Sequence, residues 1–365
     1  MASFRRNLVS NTLRTGLALG TLAGAWGLVE AQAFTLRRRS ILLDGGENVP
    51  SPAAGRTLRV LQLTDIHLLP RQRNKIRWIQ KLAQTEPDLV LLTGDQLSSP
   101  KAVAPLLKAL APFAGIPGAF VYGSNDYYGP FPKNPFIYLL RDHSKPHTPH
   151  NDLVELPWRE MTAAFESNGW INLGNARGQL RIGEWNVDLV GVDDPHIGLD
   201  EFPLPDKSVA PVATAMGATQ RPAHAGAAGG AGVGASANAT NATNATNANI
   251  KIGLTHAPYK RVLDRMVEDE CTAIFAGHTH GGQVCVPGVG ALVTNCDLER
   301  EYASGLFQWP PTGKGVLHGD GIVPTGIEHR PTSWVNVATG IGTSPFTPVR
   351  VVCRPEAVLV EFVVV

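Results

Sequence analysis

The sequence contains few cysteines, and their spacing excludes paired thiolate motifs. Only four cysteines occur among 365 residues, and no two of them form a CxxC pair. We interpret all four as small buried apolar residues, with a disulfide between two of them as the alternative if the domain is exported. They are Cys271, Cys285, Cys296 and Cys353.

The chain also lacks an excess of charge of either sign. Its formal net charge is +1, and its hydrophobic content of 43% is ordinary for a globular protein. A protein that binds nucleic acid through the phosphate backbone needs a clear basic excess, so nucleic acid is not expected as a partner. The sequence gives no sign of a protein partner either.

No hydrophobic run in the N-terminal region reaches the length of a membrane span. A span needs about 20 apolar residues, whereas the charge-free run covers residues 15–29 and stops at Glu30. Arginines flank it on both sides, at positions 5, 6, 14 and 37–39. We interpret residues 1–40 as a signal or membrane-anchor segment and expect membrane association through it.

The N-terminal run fits several kinds of targeting segment. It could be an uncleaved anchor with Glu30 near the interface, or a cleaved signal that ends at the Ala-Gln-Ala triplet 31–33. It also fits a twin-arginine export signal, because residues 5–9 read Arg-Arg-Asn-Leu-Val. An amphipathic surface helix is a further alternative. Membrane association is therefore the main expectation, and export is the alternative.

A low-complexity stretch interrupts the rest of the chain. Residues 203–249 are rich in Ala and Gly, close with Asn-Ala-Thr repeats and contain almost no large apolar residues. Such a segment cannot bury a core, so we expect a disordered loop. Its flanks at Val192 and Ile250 are predicted to be neighbouring strands. The loop therefore interrupts a single catalytic domain, residues 57–365.

Five short apolar runs end in clusters of polar residues. Buried strands have this form, and sites in layered α/β folds collect just beyond the carboxyl ends of strands. The polar residues are Asp65 and His67 after run 58–63, Asp95 after 88–93, Asn125 and Asp126 after 119–122, His256 after 250–254, and His278 and His280 after 271–276. We therefore expect these side chains at one edge of the fold.

The chemistry of these residues predicts a metal site. Carboxylates, imidazoles and a neutral amide are present without a thiolate, which suits hard or borderline divalent ions such as Mn, Fe or Zn. An HxH pair alone is a weak signal, because two histidines in a glycine-rich turn are common. Five strand ends with compatible ligands make it a strong one.

The order of the motifs, D-x-H, then GD, then a Gly-x-Asn-Asp cluster, then His, then GHTH, resembles the calcineurin-like metallophosphoesterase superfamily. The resemblance extends over about residues 57–365. It implies an α/β fold of four layers, with two central mixed β-sheets flanked by helices and a metal site at strand ends. Residues 338–342, 348–350 and 353–356 also resemble a membrane-associated bacterial branch, related to the UDP-2,3-diacylglucosamine hydrolases and to cell-wall-associated phosphoesterases.

The resemblance also implies roles for the predicted ligands. Two divalent ions would share the carboxylate of Asp95, and a hydroxide bridging them would attack phosphorus. The first ion would be held by Asp65, His67 and His280. The second would be held by Asn125, His256 and His278.

The third motif departs from the family pattern. The family has G-N-H-D or G-N-H-E, in which Asn is a ligand and His assists the leaving group, but this chain has Gly-Ser-Asn-Asp at 123–126. Either Asn125 ligates the second ion, which we favour, or Ser124 and a water complete the site. The usual leaving-group histidine is missing in both cases. Asp126, another pocket residue or solvent would then supply the proton, and a diester or pyrophosphate is favoured over an alkyl monoester.

Substrate-binding candidates come from the segments around the third motif. Ser124 and Tyr127 open a proline- and aromatic-rich insertion, residues 127–160, which is either a substrate-recognition or lid loop or a packed surface loop. Asp194 lies in a Val-Asp-Asp-Pro-His sequence at another strand end. It either lines the pocket or caps a turn, since Asp before Pro is common in turns.

The sequence therefore predicts a metal-dependent phosphoesterase acting on a phosphodiester or pyrophosphate, on a lipid- or cell-wall-linked substrate. A catalytically weak metal-binding scaffold with the same fold is the alternative. A metal-dependent hydrolase of another bond is a more remote one, because ligands alone do not reveal the substrate.

Overall fold

A computed structural model describes residues 20–21, 24–43, 57–132, 153–204, 248–313, 315–323 and 331–365. These residues form a seven-stranded sheet, a six-stranded sheet and a two-stranded hairpin. The strands are β1 (Thr35–Leu43), β2 (Thr57–Leu63), β3 (Leu89–Thr93), β4 (Gly118–Val121), β5 (Ile171–Asn172), β6 (Ala176–Ile182), β7 (Trp185–Gly191), β8 (Ala248–Leu254), β9 (Ala273–Ala276), β10 (Cys285–Val286), β11 (Gly290–Ala291), β12 (Gly305–Trp309), β13 (Gly321–Val323), β14 (Ser333–Val337) and β15 (Glu356–Val364). The α-helices that follow β1 are α1 (Arg73–Lys81), α2 (Val103–Leu110), α3 (Ser124–Tyr127), α4 (Trp158–Ser167) and α5 (Lys260–Glu268).

The first sheet has the order β13-β1-β15-β2-β3-β4-β5. β2, β3 and β4 are parallel neighbours, joined by α1 and α2 as βαβ units. Parallel neighbours joined by helices are the pairing that βαβ crossovers produce. β15 enters between β1 and β2, parallel to the former and antiparallel to the latter, so the sheet is mixed.

The second sheet has the order β12-β14-β9-β8-β7-β6. Its four central strands, β14, β9, β8 and β7, are parallel, and the two edge strands run antiparallel to their neighbours. Parallel central strands with apolar residues on both faces require cover on both sides of a sheet. The apolar runs before His256 and His278 become β8 and β9, as the sequence predicts.

The core has three parts, which define four layers. Adjacent residues of a strand point to opposite faces: Leu91 packs between the two sheets, whereas Leu92 packs against helices α1, α2 and α4. On the far side, Ile274 of the second sheet packs against Leu263 of α5. Each such side chain contributes about 1.5–3 kcal/mol on burial. The expected layering of helices, sheet, sheet and helix is confirmed.

A buried amide links the two sheets directly below the strand ends. Gln62 on β2 donates from Nε2 to the carbonyl of Ala276 on β9 at 2.9 Å, and its Oε1 accepts from Nδ2 of Asn336 on β14 at 2.6 Å. Buried polar groups require such partners. The link fixes β2 and β9, which carry ligands of both sheets, relative to each other.

The start of the catalytic domain needs a correction. Residues 35–43, which precede the predicted boundary at residue 57 and overlap the segment 1–40, form β1 within the first sheet. Arg39 looks like part of the basic flank of a membrane run, but it is fully buried, bonded to Asn336 and 3.7 Å from Glu356. The partners of Arg39 are distant from it in the sequence, so its burial could not be predicted from the local sequence.

The N-terminal segment and the variable loops are described only in part. Residues 24–30 are helical. Among the residues that the structure covers, no helix combines the length and the apolar character that crossing a bilayer requires. The predicted disordered loop 203–249 falls outside the described residues from 205 to 247, and the insertion 127–160 does so from 133 to 152.

Candidate metal centre

The predicted ligands lie just beyond the ends of five strands, three from the first sheet and two from the second. Asp65 and His67 follow β2, Asp95 follows β3, Asn125 lies in α3 after β4, His256 follows β8, and His278 and His280 follow β9. The two sheets end at the same side of the molecule. The structure therefore brings together the residues that the sequence placed at one edge.

The first group of ligand atoms contains Asp65, His67 and His280. Their donor atoms lie within 4.8 Å of one another. The Nε2 atoms of the two histidines are 3.2 Å apart, and Nε2 of His280 is 3.6 Å from Oδ1 of Asp65. Oδ2 of Asp95 adds a fourth donor atom, 3.4 Å from Nε2 of His67.

The second group is built around His256. Donor atoms of Asp65, Asp95 and His256 lie within 4.8 Å of one another, and Oδ2 of Asp95 is 3.5 Å from Nε2 of His256. Nδ1 of His278 lies 3.3 Å from the same nitrogen. Asp95 thus contacts both groups, which is the position of a carboxylate shared by two ions.

The outer nitrogens of two histidines face main-chain carbonyls. Nδ1 of His256 is 2.8 Å from the carbonyl of Thr93, and Nε2 of His278 is 3.1 Å from the carbonyl of Asn295. A ring nitrogen that donates to a carbonyl leaves the other nitrogen for a metal, as in most protein sites. The inner nitrogens, which face each other, are therefore the candidate ligand atoms.

The backbone is strained where the ligands are. Eleven non-glycine residues in the described part of the chain have positive φ, and five of them are predicted ligands. These are Asp65, His67, Asp95, His278 and His280, with φ between 43° and 70°. Such conformations disfavour L-residues and concentrate at functional sites. The fold thus maintains five costly conformations to direct these side chains inward.

Two glycines permit the close packing of the ligand loops. A Cβ on Gly277 would lie 2.1 Å from Oγ1 of Thr64 and 2.3 Å from Oδ2 of Asp65. A Cβ on Gly123 would lie 2.3 Å from Oδ1 of Asp95. Any side chain at these positions would displace a ligand carboxylate.

Burial keeps two of the imidazoles neutral. It lowers the pKa of His67 to about 4, against the opposing effect of Asp95. Burial, together with the nearby His67 and Arg350, also lowers the pKa of His280 well below its usual value. A neutral imidazole is the form that binds a metal ion, so both side chains are in the required state near neutral pH.

The clustered carboxylates favour a positive charge at the centre. Burial raises the pKa of Asp65 to about 6. Burial also opposes charge on His256, yet Asp95, Asp194 and Asp65 together raise the pKa of this histidine well above its usual value. A divalent ion beside His256 would supply the charge that a proton supplies there. The donor set and its charge therefore fit a pair of hard or borderline cations.

Asn125 contacts the shared carboxylate directly. Its side-chain Nδ2 donates to Oδ2 of Asp95 at 2.7 Å, and its main-chain nitrogen donates to Oδ1 at 2.8 Å. Ser124 also lines the cavity, with Oγ 3.5 Å from Nδ2 of Asn125. Asn125 is thus the nearer of the two alternatives to the centre, since Ser124 has no hydrogen bond to Asp95 among the described contacts.

The predicted proton-donor role of Asp126 needs a correction. This carboxylate is fully buried and accepts hydrogen bonds from the main-chain nitrogens of Asp95, Gln96 and Gly123 at 2.9, 2.7 and 3.0 Å. It does not line the cavity. Burial raises its pKa to about 7. Its place is beneath the loops, where it fixes the main chain around Asp95.

Two of the three substrate-binding predictions are likewise corrected. Tyr127 is buried and donates its hydroxyl to the carboxylate of Asp193 at 2.7 Å. Asp194 is fully buried and accepts from the main-chain nitrogen of His196 at 2.8 Å, the turn-capping geometry that was the alternative. Neither lines the cavity, whereas Ser124 does. The Asp-Pro sequence indicated the turn cap of Asp194, whereas the hydrogen bond of Tyr127 to Asp193 depends on packing between segments distant in sequence.

The cavity over the metal centre has a volume of about 480 Å³ and two kinds of wall. The polar wall consists of His67, Asp95, Ser124, Asn125, His196, His278 and His280. The other wall is mainly apolar and includes Phe131, Leu153, Val284, Leu292, Val293, Phe346 and Val349. A molecule that fills this cavity would combine a polar group at the ligands with an apolar part.

Arg350 supports the centre from behind, a role that no motif had signalled. It is fully buried and donates to the carbonyls of Thr339, Gly340 and Gly342 at 2.6, 3.1 and 2.7 Å. The same nitrogen, Nη2, lies 3.2 Å from Nδ1 of His280. The cation opposes protonation of that ring and ties it to the loop after β14.

Comparison with known proteins agrees with this geometry. The family model described as calcineurin-like phosphoesterase matches residues 58–282, which covers more than half of the chain and all of the predicted ligands. No curated protein matches the chain. This match, which includes all seven predicted ligands, shows that the chain belongs to the calcineurin-like phosphoesterase family.

Proposed function

We propose that this protein is a metal-dependent hydrolase of a phosphodiester or pyrophosphate bond in a membrane- or envelope-linked substrate. The observation that carries the proposal is the position of Asp95, whose Oδ2 lies 3.4 Å from His67 and 3.5 Å from His256. A carboxylate in contact with both groups of candidate ligands can be shared by the two ions that a two-ion hydrolysis uses.

The chain's own residues have distinct tasks in this proposal. Asp65, His67 and His280 would hold one ion, and Asn125, His256 and His278 the other, with Asp95 shared between them. When bound, the two ions would polarise the phosphoryl oxygens and acidify a water molecule. Mn, Fe and Zn all suit the donor set.

The surrounding residues keep this set in place before substrate arrives. Asp126 fixes three main-chain nitrogens around Asp95, and Arg350 fixes the loop beside His280. Preorganised charge of this kind lowers the cost of reorganisation during reaction. His196 lies in the polar wall, its ring centroid 4.3 Å from that of His278.

Two features favour a diester or pyrophosphate attached to an apolar group. The histidine that assists departure of an alkoxide in the family pattern is replaced by Asn125, and Asp126 is turned away from the cavity. The apolar wall would pack the hydrocarbon part of a lipid- or wall-linked molecule. The charge-free run 15–29 and the tail resemblance to the membrane-associated branch support the membrane link.

The decisive test is metal-restored hydrolysis by the full chain, which is needed because β1 belongs to the sheet. Chelator-stripped protein reloaded with Mn should hydrolyse bis-p-nitrophenyl phosphate faster than p-nitrophenyl phosphate. Asp95→Asn should abolish this activity, whereas Asp188→Asn, on the exterior of β7, should retain it.

A catalytically weak scaffold is the second candidate, and the missing leaving-group histidine is the observation that favours it. Stoichiometric binding of two metal ions with no turnover of diester, monoester or pyrophosphate would establish the scaffold instead. Asn125→His would then show whether replacement of the family's histidine accounts for the lack of turnover.

A further inference from the structure

We propose that an apolar rim beside the cavity docks the protein on a lipid bilayer, so that the cavity is reached from the membrane surface. This inference deepens the proposed function and rests on it for the position of the substrate. The rim consists of exposed apolar side chains on three segments, 24–30, 283–292 and 346–352. Its members are Trp26, Leu28, Val29, Val284, Val286, Val289, Leu292, Phe346 and Val352.

Exposed apolar side chains are concentrated at this rim. Fourteen large apolar residues in the described part of the chain are exposed, and nine of them lie on the three short rim segments. Single exposed apolar residues are normal on a protein surface, but a contiguous group indicates an interaction site.

The three segments form one surface. Gly27 lies with its Cβ position 3.2 Å from Cβ of Val349, and its carbonyl accepts from the main-chain nitrogen of Arg350 at 3.0 Å. The nitrogen of Cys285 donates to the carbonyl of Val351 at 2.9 Å. Hairpin β10–β11 places residues 286–290 beside this contact. The helical segment, the hairpin and the 346–352 loop are thus directly connected.

The rim is also continuous with the cavity. Val284, Leu292 and Phe346 belong both to the rim and to the apolar wall. Gln283, between the hairpin and the metal-binding turn, donates through Nε2 to the carbonyls of Thr347 and Val349 at 2.6 and 3.0 Å. An apolar group could therefore pass from the rim into the cavity without crossing a charged surface.

The sequence around the rim lacks charge. Residues 15–29, 281–296 and 331–349 contain no Asp, Glu, Lys or Arg, in a chain of which these make up 17%. Desolvation of charged groups is the main obstacle to contact with lipid. The rim segments themselves hold two charged residues, Glu30 and Arg350, and both are buried. The rim therefore presents no exposed charge that lipid contact would desolvate.

Val352 is presented at the rim at a conformational cost. Its φ is 54°, and it is the one β-branched residue among the positive-φ non-glycine residues of the described chain. Its side chain is 56% exposed, so packing within the protein does not offset the strain of this backbone conformation. A valine in this conformation is a genuine outlier, and contact with an apolar partner supplies a reason for its presence.

The N-terminal sequence identifies that partner as a bilayer. The helical residues 24–30 are the last part of the charge-free run, and Arg5, Arg6 and Arg14 precede it. An apolar run with basic residues at one end is attracted to anionic lipid surfaces. Trp26 supplies the aromatic group that prefers the interface between lipid and water. The chain thus enters the rim from a segment that is itself suited to lipid.

Fluorescence quenching by lipid tests whether the rim touches the bilayer. We would place a reporter by Val289→Trp in a Trp26→Phe background of the full chain. Ile322→Trp in the same background is the matched control, because Ile322 on β13 is also exposed but lies outside the three rim segments. With phosphatidylcholine–phosphatidylglycerol vesicles that contain doxyl-labelled lipid, the Val289→Trp protein should lose additional emission. The control should lose none. Equal quenching of both reporters would overturn the proposal, as would no quenching of either.

Turnover on two substrates separates docking from catalysis. In Val289→Asp/Val352→Asp, hydrolysis of soluble bis-p-nitrophenyl phosphate should equal that of wild type, while hydrolysis of a phosphodiester lipid held in vesicles should fall at least about tenfold, since each valine contributes substantially to apolar transfer. Unchanged turnover of the vesicle substrate would contradict the proposal.

Quenching without turnover of any phosphoester would leave docking established and overturn the proposed function alone. Self-association that these substitutions abolish, without quenching by lipid, would assign the rim to a second copy of the chain.

Discussion

The side-chain and main-chain nitrogens of Asn125 both donate to the carboxylate of Asp95, at 2.7 and 2.8 Å. These two hydrogen bonds connect the third motif, which differs from the family pattern, to the carboxylate that both ligand groups share. It also gives a direct way to decide between Asn125 and Ser124.

Asn125→Ala should lower metal occupancy to about one ion per chain, because the second group loses its amide. Turnover should fall by at least the roughly 10–100-fold that changes near a metal cost. Ser124→Ala should keep both ions and change turnover little. Elemental analysis after gel filtration measures both; the reverse pattern would assign the ligand to Ser124.

Asp65→Asn and His278→Ala should each abolish turnover while the fold remains intact. Asp65 contributes the carboxylate nearest His280, and Nδ1 of His278 faces Nε2 of His256. Circular dichroism should match that of wild type, whereas turnover should fall by more than about 100-fold. His318→Ala, outside the centre, is the control. A metal-loaded variant with wild-type activity would refute the assignment of that residue.

Gly277→Ala should destabilise the protein and weaken metal binding. The added methyl would lie 2.1 Å from Thr64 and 2.3 Å from the Asp65 carboxylate, and overpacking of this kind costs about 1–3 kcal/mol. Gly319→Ala meets no atom within 4 Å and should leave both properties unchanged. Denaturant unfolding and metal titration make the comparison, and equal stability of the two variants would argue against the close approach.

Arg350→Lys should lower the free energy of unfolding by about 3 kcal/mol, although the charge is retained. Nη2 of Arg350 lies within hydrogen-bond distance of three carbonyls, which share its two hydrogens. A hydrogen bond from a charged group contributes about 1.5–3 kcal/mol, and an ammonium cannot reproduce the planar fork of a guanidinium. Arg354→Lys, which is exposed, is the matched control. Should both variants unfold at the same denaturant concentration, Arg350 would not support the loop.

Lys75 should make the stability of the metal-stripped protein rise with pH. Its fully buried amine donates to the carbonyl of Ile66 at 2.7 Å, and burial, with a smaller effect of Arg350, lowers its pKa to about 7. Between about pH 7 and 10.5 the unfolded chain binds more protons at this site than the native one, so the free energy of unfolding increases with pH. The slope should disappear in Lys75→Met, and should persist in Lys108→Met.

The sequence predicted the ligands better than their surroundings, for a physical reason. Asp95 and His256 follow short apolar runs bounded by turn residues, the form of a buried strand. The place of these residues at strand ends is therefore a local property of the sequence. The direction of Asp126 is not local, because it depends on the main-chain nitrogens of Gln96 and Gly123 being unpaired and within reach.

Long-range partners explain the other differences. The residues around Arg39 give no indication that its partners are Asn336 and Glu356. The sequence of β1 therefore resembled the basic flank of a membrane anchor. Arg350 was part of a recognisable tail, but its contact with His280 arises only when the loop after β14 packs against the turn after β9. The local sequence pattern predicts where a strand or helix lies. The contacts of its polar side chains depend on packing against elements that are distant in sequence.

The place of β15 in the first sheet has a consequence for how the protein is made. β1 pairs with β13 and β15, so the first strand to leave the ribosome has no partner until residues 321–364 have been translated. At about 5–20 residues per second, that wait lasts for tens of seconds. During this time the helical residues 24–30, whose contacts are to Arg350 and Cys353, are not yet docked on the domain. Residues 24–30 are therefore accessible to targeting factors throughout synthesis, and they dock on the domain only at the end.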